Sequence, residues 1–466
     1  MDVLKYYSTN LESPPLSFGE ALLQGQAPDR GLYMPERIPL IPLERLEAFA
    51  ELSYPQIAFE VLHAFLKDDI AADTLRALVN DAYDYDVPLE HVTQRHYVMR
   101  LDQGPTASFK DFAARMMGRL MNHFLQQQNR ELLILTATSG DTGSAIANAF
   151  YGLDNIRVLI LFPEKEVTAR QRKQMTTLGK NVSVLALDAK FDDCQALVKD
   201  AFADPDLGKL NLSSANSINI GRLLPQSVYY VYAWAQLRES MDDKAVFVVP
   251  SGNFGDMMGG MIAWRMGLPI KQMVIAVNEN DEFPDFLATG VYRKIEPSRN
   301  CISSAMNVGH PSNLARLVAL YGGMMNETGR IHKAPDMDSM RRDMVSWSIT
   351  DRQTKQTIAS AYQQHQLLLE PHGAVGWAAL QEYLKRLKRS CDASDRNGSM
   401  HAAAAEDLCI VLETAHPAKF PEQIQEILQF DPELPPSLEG LEEKEEQFGF
   451  LKNDYAAFKE YLQSNY

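Results

Sequence analysis

Short apolar runs that alternate with helical segments constrain the fold of this chain more than any other feature. From about residue 131, each run is rich in Val, Ile and Leu and leads through small or polar residues into a segment of helical periodicity. This alternation is typical of βαβ units around a buried parallel sheet. We therefore predict an α/β fold whose strands lie at 131–137, 157–163, 182–188, 246–250, 272–278 and 407–412.

A helical stretch around 216–240 interrupts the alternation and separates it into two groups. Two groups predict two parallel-sheet α/β domains, with the cleft between them as the expected active site. The residues before them form a mixed α+β region, with helical patterns near 42–52, 55–67 and 71–83. The predicted domains are the N-terminal region at 1–98 and the α/β domains at 99–235 and 236–466.

The charge of the chain argues against a general nucleic-acid binder. Lys plus Arg number 45 against 61 Asp plus Glu, whereas such binders present a basic face. No segment reaches the roughly 18 to 20 apolar residues of a membrane helix, and the opening MDVLKYYSTN lacks the pattern of a signal peptide. We therefore expect a cytoplasmic protein with no nucleic-acid or membrane partner. Widely spaced cysteines favour reduced thiols over metal ligands or disulfides: Cys194, Cys301, Cys391 and Cys409.

The segment 389–408 is small, polar and of low complexity, and it lies between a helical pattern and the last predicted strand. Such segments are most often surface loops. We predict a loop insertion there and give it no function.

The sequence SGNFGD at 251–256 joins an apolar strand to an apolar helix. Glycines at such a turn let the backbone approach a ligand, and the N–H groups of a helix N-terminus bind anions. The spacing differs from the P-loop and from the dinucleotide fingerprint. The segment is either a phosphate-binding loop or an ordinary strand-to-helix turn.

The sequence TATSGDTGSA at 136–145 has the same context and crowds hydroxyl and carboxylate groups at a helix N-terminus. Helix capping accounts for some of these side chains. Because capping does not need so many of them, the loop also suits binding of a substrate carboxylate.

Lys110 stands between a Gly-Pro turn at 104–105 and the start of an apolar helix. A cation at a helix N-terminus is unfavourable, whereas a lysine among apolar walls has a lowered pKa and a free amine that forms Schiff bases. Phe109 and Phe112 are expected to supply the walls, and Ser108 the helix cap. Lys110 is either a solvated lysine or a nucleophile, and these neighbours favour the nucleophile.

A lysine nucleophile, a phosphate-binding loop and a carboxylate-binding loop together describe a site for pyridoxal 5'-phosphate (PLP) and an amino-acid substrate. Thr414, at the end of the strand at 407–412, offers a partner for the pyridine nitrogen. A hydroxyl group there, unlike a carboxylate, does not force protonation of that nitrogen. The alternative for this stretch is a strand end turned by Pro417.

These residues belong to longer motifs that follow one another along nearly the full chain: YYSTN, LSFGEALLQGQAPDRGLYMPERIP, GPTASFKDFAARMM, TATSGDTGSA, NSINIGRLLPQSVYY (216–230), PSGNFGD, EPHGAVGWAAL (370–380) and TAHPAKF. In this order they resemble the threonine synthase family of fold type II PLP enzymes. The resemblance implies an α/β enzyme of fold type II with its active site between two domains.

The resemblance also implies a role for each matching residue. Lys110 matches the lysine that binds the cofactor covalently, and Thr414 matches the hydroxyl residue at the pyridine nitrogen. The cofactor's phosphate-binding loop is matched by Gly252, Asn253, Phe254, Gly255 and Asp256. The residues facing the substrate are matched by Thr138, Ser139, Gly140, Asp141, Thr142, Asn216, Ser217, Asn219 and Arg222. A surface ion pair is the alternative for Arg222.

The implied reaction is a β,γ-replacement that converts O-phospho-L-homoserine and water into L-threonine and phosphate, with Lys110 as general base. We expect a monomer or a homodimer that binds this small-molecule substrate and needs no metal. Two alternatives stay open. One is another fold type II lyase acting on a phosphorylated or hydroxy amino acid, and the other is a non-catalytic protein that binds phosphorylated metabolites.

Three departures from the family pattern leave substrate preference open. Many relatives carry His where this chain has Gln103, Leu-Ala in place of Ala107-Ser108, and a small residue in place of Glu413. None of them removes a residue to which we give a chemical role.

Overall fold

The fold is given by a computed structural model, which describes residues 3–138, 140–394 and 407–466. Its strands are β1 (Tyr6–Ser8), β2 (Tyr33–Pro35), β3 (Leu89–Thr93), β4 (His96–Arg100), β5 (Leu132–Ala137), β6 (Ile156–Pro163), β7 (Val182–Leu187), β8 (Leu212–Ser213), β9 (Ala245–Pro250), β10 (Ile270–Val277), β11 (Met324–Met325), β12 (Ile331–Lys333), β13 (Met344–Ser348), β14 (Leu408–Glu413) and β15 (Gly449–Leu451).

The helices of the described ranges surround these strands. They are α1 (Phe18–Gln24), α2 (Leu43–Ala48), α3 (Tyr54–Leu66), α4 (Ala72–Ala82), α5 (Lys110–Gln128), α6 (Asp141–Phe150), α7 (Ala169–Thr176), α8 (Phe191–Ala203), α9 (Ile220–Leu223), α10 (Ser227–Leu237), α11 (Gly255–Arg265), α12 (Glu282–Thr289), α13 (Leu314–Leu320), α14 (Met337–Asp343), α15 (Asp351–His365), α16 (Pro371–Ser394), α17 (Pro421–Leu428) and α18 (Tyr455–Asn465). Among the described residues, no helix is long and apolar enough to cross a membrane.

Two sheets built mainly of parallel strands organise the described part of the chain. The larger sheet has the order β13-β10-β9-β14-β4-β3, and only β3 pairs antiparallel with its neighbour. The smaller sheet, β15-β7-β6-β5-β8, is parallel throughout. The predicted α/β fold is confirmed, and the six predicted strands are β5, β6, β7, β9, β10 and β14.

One apolar core lies between the two sheets, and each sheet has a second core on its outer face. Along β5, Leu132 and Ile134 belong to the shared core, while Leu133 and Leu135 face an outer core with residues of α8 and α18. The strands of the larger sheet alternate in the same way, and α15 and α16 cover its outer face. Burial on both faces explains why these strands are continuous apolar runs.

Each of the two sheets combines strands that are far apart in the sequence. The larger sheet combines β3 and β4 with strands beyond residue 244, and β15 joins the smaller sheet from the C-terminal part. The domain boundaries at 98/99 and 235/236 stay a prediction.

The predicted loop at 389–408 is partly corrected. Helix α16 continues to Ser394, so residues 389–394 are helical. These residues follow a run of good helix formers, with neither Gly nor Pro to end the helix. Residues 395–406 lie outside the described residues.

Candidate active site

Lys110 is the first residue of α5, and only 9% of its surface is exposed. The segment before it is held against the end of β14. The N–H of Phe109 donates to the Thr414 carbonyl at 2.9 Å, and the N–H of His416 donates to the Ala107 carbonyl at 3.0 Å. These bonds place Lys110 beside the carboxyl end of the larger sheet, where ligands of such sheets bind.

The cap that we predicted for α5 is wrong. Phe109 occupies the N-cap position, and no side chain caps this helix end. The Ser108 hydroxyl is buried and has no hydrogen-bond partner in the described part of the chain. An unpartnered buried hydroxyl beside Lys110 is a group that a bound ligand can satisfy.

The Lys110 amine is buried among charged groups. Its Nζ is 3.5 Å from Oδ2 of Asp141 and 4.7 Å from the centre of the Phe109 ring. Burial is the main cause that lowers the pKa of Lys110; Asp141 opposes it, and the neighbouring cations Lys419 and Arg222 lower the pKa further. A lowered pKa increases the fraction of free amine, as a nucleophilic lysine requires.

Asp141, at the start of α6, bridges two lysines. Its Oδ1 accepts from Lys419 Nζ at 2.7 Å and from Gln171 Nε2 at 2.9 Å. Burial alone would raise the pKa of Asp141, but the ammonium groups of Lys419 and Lys110 hold it well below its usual range. The carboxylate is therefore ionised and fixes the Lys110 amine.

Thr138, in the loop after β5, caps the start of α6. The Thr138 hydroxyl accepts from the N–H groups of Gly140 at 3.0 Å and Gly143 at 2.7 Å. Gly140 has a φ of 128°, and a Cβ there would lie 2.5 Å from Oε1 of Gln171. Thr142 is half-buried, and Ser139 lies outside the described residues. Substrate binding by this loop stays a prediction.

The loop at 251–256 offers an anion site at the start of α11. Within the described part of the chain, the N–H groups of residues 252–256 donate no hydrogen bond. Phe254 adopts the left-handed conformation, with a φ of 62°, and a Cβ on Gly252 would lie 2.7 Å from the Ala305 carbonyl. Free N–H groups at a helix N-terminus bind phosphate. The Asn253 side chain is engaged by Ser312, whose hydroxyl donates to its Oδ1 at 3.0 Å.

Asp256 faces α10 through its carboxylate. Its Oδ1 accepts from the hydroxyls of Tyr229 at 2.6 Å and Tyr230 at 2.8 Å. Burial raises the pKa of Asp256 to about 6, although the two tyrosines and Lys110 lower it. This carboxylate joins α10 to α11, and a contact with the cofactor stays a prediction.

The segment 216–222 lies beside the phosphate loop. Asn313 connects them, because its Nδ2 donates to the Ser217 carbonyl at 3.2 Å and to the Asn253 carbonyl at 2.9 Å. Asn216 has a buried Oδ1 without a partner in the described ranges. The Asn219 side chain already bonds to the backbone: its Nδ2 donates to the carbonyls of Leu22 and Ser214, and its Oδ1 accepts from the N–H of Gly221.

Arg222 is buried, with 4% of its surface exposed, and donates to the Ala215 carbonyl at 2.8 Å. Among the described residues it has no carboxylate within 4.0 Å, and its Nε has no hydrogen-bond partner. Burial lowers the pKa of Arg222 to about 10, so the guanidinium is charged at neutral pH. The alternative of a surface ion pair is wrong.

Three charged or titratable residues of the site were missed by our sequence reasoning. Lys419 is fully buried between Asp141 and the Thr106 carbonyl. Glu370 lies beside Thr414, and His372 contacts Glu370. They stand in the quoted motifs TAHPAKF and EPHGAVGWAAL. Charged side chains inside otherwise apolar segments are a signal that could have identified them.

The residues present fit PLP. Lys110 supplies a buried amine with a lowered pKa, and the loop at 252–256 supplies N–H groups for the phosphate. Thr414 is buried, and its carbonyl is bonded to the residue before Lys110. Unpartnered polar atoms also lie in this region, on Ser108 and Arg222. A bound ligand would satisfy groups that the protein alone leaves without partners.

Three family descriptions match the chain. Residues 87–394 match pyridoxal-phosphate dependent enzymes, residues 5–83 match the threonine synthase N terminus, and residues 392–462 match the threonine synthase C-terminal region.

Individual relatives extend over almost the whole chain. Threonine synthase of Haemophilus influenzae is 37% identical over 462 residues, which cover 98% of this chain and 99% of that protein. The crystal structure of PLP-bound threonine synthase from Brucella melitensis has a TM-score of 0.88 at 35% identity, over 99% of both chains. That of threonine synthase from Escherichia coli has a TM-score of 0.85 at 34% identity, over 99% of this chain and 100% of the other. This chain belongs to the threonine synthase family and is a PLP-dependent enzyme of fold type II.

Proposed function

We propose that this chain converts O-phospho-L-homoserine and water into L-threonine and phosphate. The observation that carries the proposal is Arg222, a buried guanidinium with no carboxylate within 4.0 Å in the described part of the chain. Burial lowers its pKa to about 10, and the charge of the buried Asp111 opposes this shift without forming an ion pair. A buried charge is costly unless an opposite charge accompanies it. The substrate phosphate supplies that charge.

The site contains two separate sets of groups that can each bind a phosphate. The N–H groups of 252–256 suit the phosphate of the cofactor, and the guanidinium of Arg222, whose Nε has no partner in the described ranges, lies in the adjacent segment. Arg222 is close enough to Lys110 to lower its pKa. A substrate phosphate at Arg222 therefore stands near the amine that acts on the substrate.

The positions of the residues support the following roles. When bound, PLP supplies the electron sink that stabilises the charge left by proton removal at Cα. Lys110 Nζ, held by Asp141, is the group placed to take the Cα proton and then a Cβ proton of the substrate. Burial of Lys110, Asp141 and Lys419 keeps bulk water from this amine.

We also propose a cytoplasmic location and a monomer or homodimer. Three free, buried cysteines in the described ranges support a reducing compartment: Cys194, Cys301 and Cys409. Cys391 lies where side chains are not described.

The test mixes purified protein and PLP with O-phospho-L-homoserine and quantifies threonine, 2-oxobutyrate and phosphate together. We expect threonine and phosphate in equal amounts. Replacement of Lys110 by Ala should abolish both covalent cofactor binding and turnover, whereas the same change at the exposed Lys244 should leave both unchanged.

Any other outcome would contradict the proposed function or the role of Lys110. Phosphate with 2-oxobutyrate would move the function to a lyase, and absence of turnover would move it to a binding protein. Turnover by the Lys110→Ala variant, folded as judged by circular dichroism, would contradict the role of this lysine.

A further inference from the structure

Arg316, in α13, is a second buried guanidinium without a carboxylate partner. It is fully buried, and no carboxylate lies within 4.0 Å of it among the described residues. Burial lowers the pKa of Arg316 to about 9, although Tyr7 opposes this shift, so the side chain is charged at neutral pH. A buried charge is costly unless the groups around it compensate. The groups that Arg316 contacts account for its presence.

Four hydrogen bonds of Arg316 reach three separate segments of the chain. Its Nε donates to the Tyr33 carbonyl at 3.1 Å, in β2. Its Nη1 donates to the Ser217 carbonyl at 3.2 Å and to Oδ1 of Asn313 at 2.6 Å. Its Nη2 donates to the Ile218 carbonyl at 2.6 Å. Because a guanidinium is planar and rigid, these bonds fix the acceptors relative to one another.

Asn313 extends this network to the loop that we assign to the cofactor phosphate. Its Nδ2 donates to the Asn253 carbonyl at 2.9 Å, while its Oδ1 accepts from Arg316. Ser217 lies against the same loop, since a Cβ on Gly255 would be 3.4 Å from Cβ of Ser217. One guanidinium therefore sets the position of the segment that contains Ser217 relative to the phosphate loop.

Arg316 also sets the direction of two peptide groups in this segment. The carbonyl oxygens of Ser217 and Ile218 both accept from the guanidinium, so the negative ends of these peptide dipoles face Arg316. Because a trans peptide is planar, the N–H of Ile218 points away from the Ser217 carbonyl. This N–H donates no backbone hydrogen bond in the described part of the chain. It can therefore donate to an oxygen of an anion bound beside Arg222.

We propose that Arg316 is a positioning residue that holds the segment 216–222 in the conformation that binds the substrate phosphate. This inference rests on the proposed function, which places that phosphate at Arg222. A segment that is ordered before the substrate arrives loses less conformational entropy on binding. Without the guanidinium, the phosphate itself must order the segment, so the affinity for phosphate falls. Binding of the substrate's amino-acid part depends on other loops and changes little.

The test compares two ligands of the PLP-loaded enzyme in the wild type and in Arg316→Lys. Lysine keeps the charge, but it has three donors on one atom in place of the rigid fork. The inhibition constant of inorganic phosphate against O-phospho-L-homoserine should rise about tenfold, the equivalent of one hydrogen bond to a charged group. The dissociation constant of L-threonine, which carries no phosphate, should stay at the wild-type value when followed by the absorbance of the cofactor.

Arg330→Lys is the matched control, because Arg330 is exposed. Both constants should equal those of the wild type. Asn313→Ala is a second variant, which removes a bond to the Ser217 carbonyl and the link to Asn253 but keeps the charge of Arg316. At saturating PLP it should also weaken inhibition by phosphate and leave the L-threonine constant in place.

The two constants separate this inference from a structural role of Arg316 and from the proposed function. Unchanged inhibition by phosphate in folded Arg316→Lys, or equal weakening of phosphate and L-threonine, would overturn the inference alone. If circular dichroism shows that Arg316→Lys is unfolded, Asn313→Ala decides by the same criteria. Failure of the wild type to form threonine would overturn the proposed function, and this inference with it.

Discussion

The charge on Lys110 depends on a second lysine that is distant in the sequence. Lys419 Nζ lies 2.7 Å from Oδ1 of Asp141. Burial is the main cause that lowers the pKa of Lys110, and the charge of Lys419 lowers it further. Replacement of Lys419 by Gln removes that charge but keeps a donor for Asp141. We expect the pKa of Lys110 to rise, so that the pH profile for covalent attachment of PLP to the apoprotein moves to higher pH. Stopped-flow absorbance across a pH series measures this profile.

Lys244→Gln is the matched control, because Lys244 is exposed and precedes β9, at the opposite end of that strand from the phosphate loop. Its profile should coincide with that of the wild type. A Lys419→Gln profile that stays in place, or that moves to lower pH, would contradict the electrostatic role of Lys419.

At the scale of elements, Asp256 joins α10 to α11 and makes their packing sensitive to pH. Its pKa is about 6 in the folded protein against a usual value of 3.8. As pH rises through this window, the unfolded carboxyl loses its proton first, so stability falls by about 3 kcal/mol. The Asp256→Asn variant does not lose stability in this way, because an amide side chain does not titrate. Urea denaturation of the apoproteins should show the variant gaining on the wild type between pH 3.8 and about 6.

The gain should level off above this window, where the folded carboxyl has also lost its proton. Asp242→Asn, at an exposed position, should follow the wild type at every pH. A constant difference between Asp256→Asn and the wild type would show that the carboxyl does not titrate in the folded protein as expected.

At the scale of the whole molecule, we expect the separate outer cores to give the two sheets partly independent stability. Phe458 of α18 is fully buried in the outer core of the smaller sheet. Phe458→Ala should cost about 3–5 kcal/mol, because it removes a buried ring and leaves a cavity. Hydrogen exchange should rise in β5, β6 and β7 more than in β9 and β10, since α15 and α16 cover the larger sheet instead.

The control is Phe450→Ala in β15, where the ring is 69% exposed. It should change the stability by no more than about 0.5 kcal/mol. Equal increases of exchange in both sheets for Phe458→Ala would mean that the two sheets unfold as one unit.

The local sequence pattern was sufficient to predict six of the strands and insufficient for the others in the described ranges. β5, β6 and β9 are continuous apolar runs because both faces of each strand are buried. β4 and β13 belong to the same larger sheet, but β4 is HYVMR, with only a short apolar run between polar ends, and β13 is MVSWS, in which serines interrupt the apolar residues. Their strand character depends on pairing with β14 and β10.

The α/β class, the family and the position of Lys110 between a turn and a helix could all be predicted without the structure, because they depend on residues close together in the chain. The contacts of Lys419 with Asp141 and of Glu370 with Thr414 could not be predicted in this way and are seen only in the folded chain. Those residues come from distant segments, and the order of strands in a sheet sets which segments meet. The same order leaves Arg222 buried without a carboxylate partner in the described ranges, which no local pattern specifies.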